Sequence, residues 1–169
     1  MRGLLAVVVT AVVAAGIAWY VGVFDGKDKT TLANVTSGSS QEAVNARVDR
    51  MKAMAKALSE VSKAAEAGDI SGTGENAQTI LKTANDIPSL FPAGTGPGDP
   101  GVTKTRAKAE IWSKTDEFNA DAKKLGDVAT KIVAASGAND TAAMTAALGE
   151  VGPACKGCHD TFRGPPPPE

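Results

Sequence analysis

The chain has 169 residues, 43% hydrophobic but only 4% aromatic, with Ala and Gly abundant. That length suits one core plus an appendage, and the scarcity of long β-branched alternations points to helices packed through small residues. Eighteen Lys and Arg against nineteen Asp and Glu give a formal charge of −1 and no basic field for nucleic acid, and the single His leaves little room for a hydrolytic triad.

Residues 3–24 form an apolar run preceded by Met1-Arg2, with Trp19-Tyr20 where an interfacial aromatic belt would sit. As a helix the run covers about 33 Å, enough for a bilayer core. Either an uncleaved membrane anchor or a signal peptide fits, with Ala14-Ala15-Gly16 as a candidate cut. Apolarity continues past that cut through Val21, which favours the anchor. Residues 25–40 have no apolar period and read as a flexible tether with a reach of roughly 20–24 Å. The Asn34-Val35-Thr36 sequon is a frequent chance match and carries no weight.

The first domain helix is expected to start at Ser39 or Ser40, with Val44, Val48, Met51, Ala55, Leu58 and Val61 facing the core and Gly68 ending it. A second helix is expected from Gly74 to Asp86, stopped by Pro88, with Ala77, Ile80, Leu81 and Ala84 on one face. Residues 88–101 hold four Pro and four Gly and make the one long crossover. A third helix is expected from Thr103 to Ala135, carrying Ala107, Ile111, Phe118, Ala122, Leu125, Ala129 and Ile132 and closed by Gly137. Asn139 or Asp140 caps a fourth, which Pro153 should weaken or kink. Residues 164–169 form a Pro-rich extended tail. Four amphipathic helices with two short turns and one crossover predict an all-α antiparallel four-helix bundle over residues 41–163.

The chemistry concentrates in Cys155-Lys156-Gly157-Cys158-His159. A C-x-x-C-H run reads as covalent c-type haem attachment, the two thiols bonding the porphyrin and the imidazole reaching its iron. On a helix these positions share one face. Competing readings are weaker: thioredoxin-like redox chemistry expects a βαβ pattern that is missing here, and structural zinc wants four ligands where two Cys and one His exist. A disulfide between the two Cys would close a very small loop and leave His159 unexplained.

Taken together, the chain resembles the cytochrome c-prime family, including its low-spin cytochrome c556 branch, over residues 41–163. The resemblance rests on Ala43-Val44-Asn45-Ala46-Arg47, on Ile87 through Thr95 (IPSLFPAGT), on Glu110-Ile111-Trp112, on Val151-Gly152, and on Cys155 through Arg163 (CKGCHDTFR). It implies one haem c held through Cys155 and Cys158, His159 as proximal ligand, export to the periplasm, and electron transfer or small-gas binding rather than catalysis. Redox partner proteins and a homodimer through the first two helices come with the same resemblance.

High-spin members of that family place an apolar side chain opposite the proximal His, and low-spin members a Met. Aligning Arg47 with the family's propionate-side Arg puts Met51 at this distal position, on the same helix face. Met54 is the alternative ligand or simple packing, and Arg50 or Lys52 could replace Arg47 toward a propionate. Arg163 aligns with a proximal-side residue that screens the haem, or merely favours a helix C-terminus. The expectation is an electron carrier with His159 and Met51 on the iron, anchored on the periplasmic side of the bacterial inner membrane, or free in the periplasm if the N-terminal segment is cut. The alternative is a high-spin protein that binds or scavenges nitric oxide or another small gas.

Overall fold

A computed structural model describes the backbone of residues 29–166 and side chains from residue 39 onward. The chain divides into a unit spanning Met1–Val35 and one spanning Thr36–Glu169, the second of which carries the bundle. In order come α1 (Lys29–Ala67), α2 (Gly74–Asp86), a 3₁₀ turn (Ile87–Leu90), the single turn α3 (Glu110–Ser113), α4 (Thr115–Ala138) and α5 (Thr141–Phe162). The expected membrane segment over residues 3–24 lies outside the described residues, among which no helix is long and apolar enough to cross a membrane.

Helix ends follow local chemistry. Gly68 takes φ +75° after α1, and the amides of Gly68 and Asp69 bond back to Ala65 and Ala64 carbonyls. Asp69 then accepts from the amide and hydroxyl of Ser71, which turns the chain into α2. The Thr73 hydroxyl sits 2.8 Å from that of Ser136, tying this turn to the far end of α4. Asp140 caps α5 by accepting from the Ala143 amide at 2.9 Å.

Three expectations need correction. α1 begins at Lys29, inside the stretch expected as a tether, because Thr, Ser and Asn lower helix propensity without ending a helix already nucleated downstream. Gly137 lies within α4, and it is Asn139, in the left-handed region at φ 51°, that closes it with the Asp140 amide on Ala135 O. Pro153 lies inside α5, which is helical on both sides of it, and takes one bond out of its ladder. Gly149, whose carbonyl loses its partner there, and Pro153 are both exposed, on a groove between α4 and α5 where water can replace the missing bond.

The third correction is the largest. Residues 103–109, expected as the first turns of the third helix, are not helical. Their backbone groups are taken by other elements. Gln41 Oε1 accepts from the amides of Thr103 and Lys104, the Lys108 amide donates to Phe162 O at 3.0 Å, and Ala107 pairs with Arg163 as an isolated antiparallel bridge. The helical bonds these groups would have made are thereby exchanged for tertiary ones.

Val61, Ile80, Ala129, Ile132 and Met144 are fully buried at the centre of the core, with Met54, Ala57, Ile70, Leu125 and Phe162 around them. The stripe expected on α1 divides in two. Val44 and Val61 enter the core with Met54 and Ala57, whereas Val48, Met51, Ala55 and Leu58 line a cleft. Helix α1 thus presents a wider apolar face than the protein core covers. Ile132→Ala should lower the free energy of unfolding by about 2–5 kcal/mol in denaturant titrations, since a fully buried branched side chain would leave a cavity.

Candidate functional site: a cleft between the first and last helices

Helix α5 is continuous from Thr141 to Phe162, so the spacing of Cys155, Cys158 and His159 puts all three on one helix face. They border a cleft of about 440 Å³ whose opposite wall is α1, through Arg47, Val48, Met51, Met54, Ala55 and Leu58. Phe91, Phe118, Leu125 and Phe162 line it as well. That volume and its apolar walls are those of a small-molecule or cofactor site.

Every aromatic residue after position 24 gathers at this end of the bundle. Phe91 meets Trp112 and Phe118 edge-on at 6.3 and 5.0 Å, and Phe118 meets Phe162 at 5.2 Å. The Trp112 indole donates to Phe91 O and Pro92 O, and Gly96 lets the ring approach so closely that a Cβ there would stand 3.1 Å from it. This anchors the Pro- and Gly-rich crossover against the start of α3.

Arg47 is the unusual residue. It is 3% exposed, donates from Nη1 to Thr95 Oγ1 (2.9 Å) and from Nη2 to Thr95 O (2.9 Å) and Thr105 Oγ1 (2.7 Å), and stacks its guanidinium 4.6 Å from the Phe91 ring centre. No carboxylate among the described residues pairs with it. Desolvation lowers its pKa to about 10, so it remains a cation at neutral pH, and Asp121, the one carboxylate lining the cleft, pairs with Lys124 and not with it.

The thiols are free and half-buried. Burial pushes both upward, Cys158 to about 11 with added repulsion from Asp121 and Cys155. A thiol–disulfide catalyst needs the opposite shift, so the redox-pair reading has no support here. Among the described residues no three His, Cys, Asp or Glu side chains converge on one point. His159 sits on the cleft margin with its pKa lowered, first by desolvation and then by Arg163 and Arg106, which keeps the imidazole neutral and a ring nitrogen free to bind a metal.

Of the other expected residues, Met51 is half-buried and Met54 buried, and both reach the cleft. Arg163 ends α5 and lines the cleft too. Lys52 lies at the rim with its side chain 75% exposed, while Arg50 is exposed and outside the lining. Thr95, Thr105, Arg106 and the aromatic cluster were not foreseen. The only signal for them was the clustering of rare Phe and Trp residues within the crossover and third-helix pieces of the family resemblance.

The model of the cytochrome c' family matches residues 42–163. The chain belongs to the cytochrome c' family. It is 41% identical over 124 residues to cytochrome c' of Pararhodospirillum photometricum, covering 73% of this chain and 91% of that one. Cytochrome c-556 of Agrobacterium tumefaciens is 35% identical over 107 residues, covering 63% and 82%. Among solved structures, cytochrome c' from Rubrivivax gelatinosus superposes with a TM-score of 0.65 at 31% identity, over 73% of this chain and 96% of its own. A nitric oxide complex of a cytochrome c prime variant from Alcaligenes xylosoxidans gives 0.65 at 26%, over 75% and 96%.

As a cytochrome c' relative the chain carries one haem c, covalently attached through Cys155 and Cys158. The site fits that group on its own chemistry. Two unbridged thiols and a neutral imidazole share one helix face, the cleft between them and α1 is apolar, and the buried cation Arg47 awaits an anion such as a carboxylate side arm.

Arg47→Lys keeps a charge but cannot reproduce the planar set of donors to Thr95 and Thr105. It should lower stability by about 1–3 kcal/mol, measured by thermal unfolding, because buried hydroxyl and carbonyl groups lose partners.

Proposed function

We propose that the chain is a monohaem cytochrome that takes up a small diatomic gas of the nitric oxide class, with His159 as the proximal ligand and Met51 on the opposite side. Membership of the cytochrome c' family carries this reading, and the nitric oxide complex of the Alcaligenes protein, which shares the fold over 96% of its length, supports it. When bound, haem c supplies the iron at which a gas is held or a single electron stored.

The chain's own residues then divide the work. Cys155 and Cys158 fix the position of the group, and the neutral His159 imidazole offers a ring nitrogen to iron. Arg47 neutralises a propionate without leaving its Thr95 and Thr105 partners, and the apolar side chains of α1 keep water from the opposite side. Arg163 shields the proximal side from bulk solvent.

The second reading is the electron carrier in which Met51 ligates iron permanently. The half-buried placement of Met51 on the cleft wall and the cytochrome c-556 relative favour it. In either reading the cytochrome is not an enzyme. Residues 3–24 serve as anchor or signal, the haem domain lies on the periplasmic side, and redox partner proteins exchange electrons with it.

Absorption and electron paramagnetic resonance spectra of the purified holoprotein separate the two readings. The gas-binding reading expects a high-spin resting state, stoichiometric uptake of nitric oxide and carbon monoxide by the ferrous form, and an unchanged resting spin state in Met51→Ala. A low-spin resting spectrum with a sulfur-to-iron band that disappears in Met51→Ala would instead establish the electron carrier. Cys155→Ser combined with Cys158→Ser should remove the covalent porphyrin mass from the chain in intact mass spectrometry.

A further inference from the structure

The segment expected to open the third helix touches both walls of the cleft. On the α1 side, Thr105 Oγ1 accepts from Arg47 Nη2 at 2.7 Å and also from the Ala107 amide at 3.1 Å, so one hydroxyl holds the guanidinium and shapes the strap. On the α5 side, the next residue makes a reciprocal pair: the Gly164 amide donates to Arg106 O at 2.6 Å, and Arg106 Nε donates to Gly164 O at 2.9 Å. Two residues further, the Lys108 amide donates to Phe162 O, and Lys108 Nζ donates to the Asp160 and Thr161 carbonyls at 3.1 Å each.

These bonds finish the last turn of the helix that bears His159. A helix C-terminus leaves its final carbonyls without intrahelical partners. Here the strap satisfies those of Asp160, Thr161 and Phe162, next to the residue whose orientation decides how the imidazole is presented. From the Arg47 guanidinium to Gly164 the connection passes through one hydroxyl, one peptide unit and one paired set of hydrogen bonds. Such a connection is short, and its hydrogen bonds reinforce one another.

We propose that residues 105–108 act as a strap coupling the two walls of the cleft, with Thr105 and Arg106 as positioning residues for His159. An anion held at Arg47 and the setting of the imidazole then influence one another through the strap. The inference rests on His159 being the iron ligand, and it adds a connection that the site's own lining residues do not make.

The test uses the holoprotein with Thr105→Val, which is nearly isosteric but cannot accept from Arg47, and Thr105→Ser, which keeps the hydroxyl. Two readouts are taken: amide hydrogen exchange at Gly164, and the iron–histidine stretching band of the ferrous form by resonance Raman. Thr105→Val should speed exchange at Gly164 by about tenfold, as loss of about 1.4 kcal/mol of local protection would. It should also shift or broaden the iron–histidine band, and Thr105→Ser should restore both. Arg106→Gln, altered at the other end of the strap, should change the same two readouts while leaving exchange at Ala107, whose amide Thr105 holds, as in the parent, so a Thr105→Val variant that fails to fold leaves the proposal testable. Exchange confined to residues 105–107 with the Gly164 amide and the band as in the parent would overturn the strap. A His159→Gly variant with iron spectra unchanged from the parent would overturn the ligand assignment instead, and in a six-coordinate parent, which shows no such band, exchange at Gly164 decides.

Discussion

A buried guanidinium without a carboxylate governs how this bundle is built. Removing a cation from water is costly unless its hydrogen-bonding groups and charge are both answered. Arg47 answers the first requirement with Thr95, Thr105 and the face of Phe91, and leaves the second to whatever occupies the cleft. To supply those partners the crossover must fold back over α1, which brings Thr95 and Thr105 to one point although ten residues separate them. The aromatic cluster, the non-helical strap and the open side of the cleft are consequences of that demand.

The same economy explains why the core looks thin on the α1 side. A bundle rich in Ala and Gly brings helices close together, and its few large aromatics are placed at one end. Val48 is 43% exposed, a large apolar side chain left uncovered by protein beside Met51, Ala55 and Leu58. A flat apolar group attached through the opposite helix would cover that surface. Raised thiol pKa values and a neutral imidazole on that helix then describe anchors and a ligand more than redox catalysts.

Helix α5 combines rigidity with access. Its N-terminus is fixed by the Asp140 cap, and its C-terminus by the strap through Lys108 and Arg106. Between them Pro153, exposed on the groove between α4 and α5, interrupts the hydrogen-bond ladder and does not line the cleft that the thiols border. A helix held at both ends keeps three closely spaced side chains in register, which a covalent two-point attachment requires.

Residue type and spacing alone determined the haem attachment site, because Cys155, Cys158 and His159 act within one helical turn and need no distant partner to share a face. The same holds for the end of α2 at Asp86, which follows from Pro88 two residues on. Tertiary structure alone decided the rest. Residues 103–109 carry a sound helical pattern, yet their amides and carbonyls find partners on Gln41, Phe162 and Gly164, far away in the chain. Likewise nothing in the neighbourhood of Arg47 announces Thr95 and Thr105, and the apolar stripe on α1 gives no hint of which half meets protein and which meets the cleft. Periodicity reports that a side chain avoids water, whereas the identity of what shields it depends on contacts the chain makes only once folded.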